Sequence, residues 1–133
     1  MIVFIDTNIL ISAARNSSGT PYLAFVKATT APNQAVICEQ NLEELRRVFN
    51  RKFLNQITLL ERFLALALPA LDIISVPLIH QDDETEIRDI TDRPIFRAAV
   101  TAKADVLITG DKDFLEADIK AFTIVTAAKF LKS

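Results

Sequence analysis

The chain has 133 residues, 50% hydrophobic and 24% charged, a length that fits one domain and a composition too apolar for disorder. A formal net charge of −2 and a pI near 5.4 exclude binding of nucleic acid by overall positive charge, so any polyanionic substrate needs local basic patches or a bound cation. One cysteine (Cys38), one histidine (His80) and two glycines (Gly19, Gly110) exclude a disulfide framework, a zinc site built on Cys or His, and Gly-rich phosphate loops.

No apolar run is long enough to span a bilayer and no basic region precedes an apolar stretch at the start. A soluble, single-domain protein (1–133) of the reducing cytoplasm is expected, with no membrane association. Ile2 to Ile5 is a short continuous apolar run, as in a strand buried on both faces. Asp6-Thr7-Asn8 suits a strand-end loop or a helix cap, and Ile9 to Ala14 predicts a short helix. Ser17 to Pro21 breaks the chain, with Pro21 placed to begin the next helix. Ala35 to Cys38 predicts a second strand, with Cys38 as a small buried residue. The helix that follows carries Leu42, Leu45, Val48, Phe49 and Phe53 at three- and four-residue spacing.

Ile57 to Ala70 predicts a further, strongly apolar helix stopped near Pro69, and Ile73 to Val76 a third strand. From Pro77 to Thr91 the apolar content collapses into an exposed acidic loop (Asp82, Asp83, Glu84, Glu86), with His80 at the surface. Asp92-Arg93-Pro94 then opens a helix whose buried face is Ile95, Phe96, Ala99 and Val100. Val106 to Thr109 is a strand closed by Gly110-Asp111-Lys112-Asp113. Phe122 to Val125 gives the last strand, and Ala127 to Leu131 a terminal helical turn. Strands alternating with helices predict a parallel sheet covered on both faces, with ligands at the carboxyl ends of its strands.

That rule makes the acids informative. Asp6 follows the first strand, Asp111 and Asp113 follow the strand at Val106, and Asp92 opens the helix leading into that strand. Glu43 and Glu44 lie in the helix after the second strand, and periodicity does not separate them. Converging carboxylates repel unless a cation sits among them, and oxygen-only ligation selects Mg²⁺ or Mn²⁺. Such an ion neutralises a phosphate and activates water, the chemistry of phosphodiester hydrolysis. Each acid also has a structural role open to it: Asp6 and Asp92 as helix caps, Asp111 and Asp113 as turn residues, the glutamates as solvated helix face.

Val3-Phe4-Ile5-Asp6-Thr7-Asn8-Ile9-Leu10 resembles the opening motif of PIN-domain proteins. Glu44 to Val48 with Arg51-Lys52-Phe53, Asp92 to Ala99, and Thr109 to Leu115 resemble that family's later acidic motifs, in the same order. The resemblance implies a three-layer α/β/α sandwich with a central parallel sheet, and Mg²⁺- or Mn²⁺-dependent endoribonuclease activity. It implies that Asp6, Glu44, Asp92 and Asp111 form the metal site, with Asp113 also at the metal and Asp89 in support, and so it chooses Glu44 over Glu43. Size and motif wording are most similar to the toxin (VapC-like) components of prokaryotic toxin–antitoxin pairs, which implies an antitoxin partner and a homodimer.

Thr7, Asn8 and Thr109 lie beside the expected site as polar support. Arg93 and Arg97 flank Asp92 and are expected to contact substrate, as is Arg47 from the basic cluster Arg46, Arg47, Arg51 and Lys52. That cluster suits an acidic antitoxin segment or a solvated helix face equally well. The apolar helix at Ile57 exceeds the needs of one buried stripe and is expected against a neighbouring helix or at a dimer contact. A receiver-type signalling domain fits poorly, because Asp6 is single and Ser75-Val76 leads into Pro77. The remaining alternative is a non-catalytic PIN-like module that binds RNA or protein.

Overall fold

The apolar runs of the sequence assemble into one parallel sheet in the computed structural model, which describes residues 1–133 apart from the side chain of Asp82. The exposure expected for Asp82 therefore lies outside the described residues. The strands are β1 (Ile2–Ile5), β2 (Gln34–Cys38), β3 (Leu71–Ile74), β4 (Val106–Ile108) and β5 (Thr123–Val125). Their lateral order is β3-β2-β1-β4-β5, with every neighbouring pair parallel. The helices are α1 (Thr7–Arg15), α2 (Thr20–Thr29), α3 (Glu39–Lys52), α4 (Ile57–Ala67), α5 (Arg93–Thr101), α6 (Lys112–Leu115) and α7 (Ala127–Lys132).

Successive strand residues point to opposite faces, and this alternation divides the core in two. Val3, Ile5, Ile37 and Ile108 pack beneath α1 to α4 and α7, through Leu10, Phe25, Leu45, Phe49, Leu60, Phe63 and Phe130. Phe4, Val36, Cys38 and Leu107 face the other layer, built from Ile87, Ile95, Phe96, Phe114 and Phe122. The result is the three-layer α/β/α sandwich that the sequence led us to expect. β1 lies at its centre, and Val3, Phe4 and Ile5 are fully buried.

The largest departures from the sequence expectations lie between α4 and α5. α4 ends at Ala67 and passes into a 3₁₀ turn, Leu68–Ala70, where Pro69 supplies no N–H for a continuing helix. β3 consequently starts at Leu71, two residues before the expected Ile73. Its register is set by β2, with Ala35 opposite Leu71 and Cys38 opposite Ile74. At the sheet edge Asp72 and Ile73 are exposed, which is why the strand's pattern is weak. The segment 77–91 is not simply an exposed acidic loop. It contains two 3₁₀ turns, Asp82–Glu86 and Ile90–Asp92, and buries Ile87 completely and Glu84 to 5% exposure.

Candidate active site

The chain leaves β1 toward β2 on one side, while β4 returns to pair with β1 on the other. The carboxyl ends of β1 and β4 therefore flank the point where strand order reverses, the position at which parallel sheets open a crevice. Asp6 stands at that point, 4% exposed. It caps α1 by accepting the Thr7 N–H on Oδ1 at 2.8 Å. Its Oδ2 accepts the Thr109 hydroxyl at 2.7 Å and the Asn8 amide at 3.0 Å. Asn8 also accepts the Gly110 N–H at 2.9 Å, so it bridges the ends of the two strands. Burial pushes the Asp6 carboxyl up to about 6; hydrogen bonds from Thr109 and Thr7 oppose the rise, while Glu44 and Asp111 add to it.

Asp92 occupies the residue before α5, yet its side chain makes no capping bond, and Oδ2 is a buried oxygen without a hydrogen-bond partner. Its carboxyl is pushed up to about 8, first by burial, then by a hydrogen bond shared with Asp111, and by the charges of Asp6, Asp111 and Asp89. Asp111 does cap, accepting the Asp113 N–H at 2.9 Å at the start of α6, and its own N–H is held by Thr109 Oγ1 at 3.0 Å. Asp89, Asp92 and Asp113 each place a carboxylate oxygen within 4.8 Å of the others. Asp89 accepts both the N–H and the hydroxyl of Thr91, which hold its carboxyl below the usual value.

Glu44 is half-buried on α3 and lies within the electrostatic reach of Asp6, whereas Glu43, one residue earlier on that helix, is exposed. Arg47 is exposed on the same helix. Arg93 is half-buried and donates its Nε to the Ile87 carbonyl at 3.0 Å. Arg97, expected at the substrate, is turned inward instead. Its side chain is 12% exposed, donates to the Pro77 carbonyl at 3.0 Å and pairs with Glu84 at 3.2 Å.

Sequence reasoning overlooked three residues that shape the site. Asn41, fully buried, accepts the Cys38 N–H at 2.9 Å and donates to the Thr7 hydroxyl at 2.9 Å, tying α3 to α1 beneath Asp6. Its position three residues after the strand end is the signature of a helix-capping side chain, and that signal was present in the sequence. Arg88 bridges Asp113 and Glu116, at 2.8 Å each. Glu84 is the third, and its burial depends on Arg97, too distant in the chain for a local pattern to show.

An all-oxygen donor set containing a buried, unpartnered carboxylate oxygen fits a hard divalent cation better than it fits a closed hydrogen-bonded network. Among the described residues, no helix is long and apolar enough to cross a membrane. No curated protein matches the chain. Among solved structures it is similar to a chain in the crystal structure of VapBC2 from Rickettsia felis bound to a DNA fragment from their promoter. The TM-score is 0.69 and the identity 21%, over 95% of this chain and 98% of that one. The sequence model of the PIN domain family matches residues 2–113. That match takes in all the acids gathered at the strand ends, and the chain belongs to the PIN domain family.

Proposed function

We propose that this chain is a metal-dependent endoribonuclease and the toxin component of a toxin–antitoxin pair. The observation that carries the reading is Asp92, whose buried Oδ2 has no partner in a cluster where Asp6, Asp111 and Asp89 all raise its pKa. Asp6, Glu44, Asp92 and Asp111 would hold Mg²⁺ or Mn²⁺ together with Asp113, whose carboxylate oxygen lies within 4.8 Å of those of Asp92 and Asp89, and Asp89 would support the site. A divalent ion so held supplies charge neutralisation at a phosphodiester and lowers the pKa of a water. Thr109, Asn8 and Thr7 fix the Asp6 carboxylate in one orientation. No histidine or cysteine lies among these residues, so general-base chemistry from a side chain has no candidate here other than the carboxylates.

Arg93, beside Asp92, and the exposed Arg47 are the side chains we assign to substrate phosphates. The structural likeness to a chain of VapBC2 supports a partner protein. A homodimer is part of the same proposal, with the exposed Leu59 and Leu66 of α4 as its apolar contribution; light scattering that finds a monomer at high concentration would remove that part. The activity is tested by incubating a mixed RNA pool with Mn²⁺, Mg²⁺ or EDTA and comparing wild type with Asp92→Asn. Metal-dependent cutting that the substitution abolishes is the expected result. Equal cutting by both proteins would point to a contaminant and sink the assignment, and no cutting by either would favour a binding module.

A further inference from the structure

Glu84 is a carboxylate in an unusual place. It sits in the 3₁₀ turn Asp82–Glu86 with 5% of its surface exposed, a burial that acids accept only when paired. Its Oε2 accepts the Gln81 N–H at 2.9 Å, and its Oε1 lies 2.6 Å from His80 Nδ1. Arg97 Nε lies 3.2 Å from Oε2, off the line of a hydrogen bond, so charge rather than direction holds this contact. Burial works to raise the Glu84 pKa, but Gln81, His80 and Arg97 together hold it below the ordinary value, so the group stays ionised.

Arg97 and a second arginine of α5, Arg93, bind the segment elsewhere. Arg97 Nη1 donates to the Pro77 carbonyl and Arg93 Nε to the Ile87 carbonyl, each at 3.0 Å. The segment is thus fastened to α5 at Pro77, Glu84 and Ile87, and Ile87 is fully buried in the core beside Phe96. From Ile87 the chain passes through Asp89 and Thr91 to Asp92. Gln40 on α3 donates to the Thr91 carbonyl at 3.2 Å, which pins the far side of this short stretch.

We propose that Glu84 is a positioning residue for the acid cluster: through Arg97 it fixes the segment that delivers Asp89 and Asp92 to their places. This inference rests on the reading of that cluster as a cation site. It also gives Arg97 a role distinct from the substrate contact expected of it. The partners of Glu84 are His80, Gln81 and Arg97 and not the clustered acids, so its influence is carried by the backbone from 84 to 92.

The test uses the full chain and two readouts, amide hydrogen exchange by mass spectrometry in EDTA and Mn²⁺ titration. Glu84→Gln leaves Arg97 buried without its counter-charge; Asp83→Asn removes an equal charge from an exposed neighbour in the same turn. The expected result for Glu84→Gln is faster exchange confined to peptides covering 87–93, with those of β1 and β4 unchanged. Mn²⁺ affinity should fall on the order of tenfold, as for other residues that orient ligands from behind. Asp83→Asn should leave both readouts at wild-type values. Wild-type exchange in Glu84→Gln overturns the proposal, and so does an equal response from Asp83→Asn, which would make the effect one of net charge. Should Glu84→Gln fail to fold, the double substitution Glu84→Leu with Arg97→Leu removes both buried charges together, a change cores tolerate. It must show the same local loosening. A wild type that binds no Mn²⁺ sinks the cation-site reading alone, and exchange then decides the role of Glu84.

Discussion

Asp6 and Asp92 keep their protons to about pH 6 and about pH 8 in the folded, cation-free protein, well above the pKa of either group in an unfolded chain. Between those values the folded state binds more protons than the unfolded one, so stability falls as pH rises and levels off above the folded pKa. For Asp6 alone, a rise of about two units is on the order of 3 kcal/mol. Glu84 and Asp89, shifted the other way, lose their contribution only as pH falls through the acid range, and so leave this window clear. The melting temperature in EDTA should therefore decline from about pH 5 to about pH 8, with Asp92→Asn flattening the upper part of the slope and saturating Mn²⁺ removing it. A melting temperature that is constant or rises over that range would contradict the site's electrostatics. Asn8 offers a second check, since it joins Asp6, Thr109 and Gly110. Asn8→Ala should cost about 0.5–1.5 kcal/mol in urea unfolding, the worth of the hydrogen bonds that join the two strand ends, since Asp6 and Thr109 keep their bond to each other.

At the scale of single elements, the sequence was most legible where burial is symmetrical. β1, β2 and β4 are continuous apolar runs because both faces are covered, and their positions were readable to within a residue. β3, on the edge, carries Asp72 and an exposed Ile73 and was displaced by two residues. The segment 77–91 defeated local reading because Glu84 is made tolerable by Arg97, thirteen positions downstream, and no hydrophobic period reports a charge pair. Asp92 was readable as a site acid or as a cap, and the missing capping bond is what a sequence cannot display. Glu43 and Glu44 stood equal by periodicity; on α3 one is exposed and the other half-buried near Asp6. Glu44→Gln should weaken Mn²⁺ binding on the order of tenfold or more, with Glu43→Gln nearly silent in the same titration. The packing of α5 is tested separately by Phe96→Ala. This ring is fully buried under Phe122, and its loss should cost about 3–5 kcal/mol by denaturant titration.

The molecule as a whole carries a net charge of −2 and sets Asp6, Asp89 and Asp111 around Asp92, so the site repels a polyanion unless a cation is bound. RNA binding by Asp92→Asn or wild type should be weak in EDTA, and divalent ions should strengthen it for wild type far more than for the variant. Filter binding at fixed ionic strength measures this; tight, metal-independent binding by both would instead locate the RNA on the basic face of α3, around Arg47 and Arg51.

The pairing of β1 with β4 also bears on how the protein is made. Thr109 follows Asp6 by 103 residues, and nothing nearer in the chain completes the hydrogen bonds of Asp6 Oδ2 at the β4 end. At a synthesis rate of about 5–20 residues per second, roughly 5–20 s separate the emergence of the two halves. During that interval the growing chain holds Asp6 but lacks the strand that orients it, and the acids cannot yet meet. On the proposed function, the site cannot assemble before β4 has left the ribosome, so cutting would begin only when translation is nearly finished.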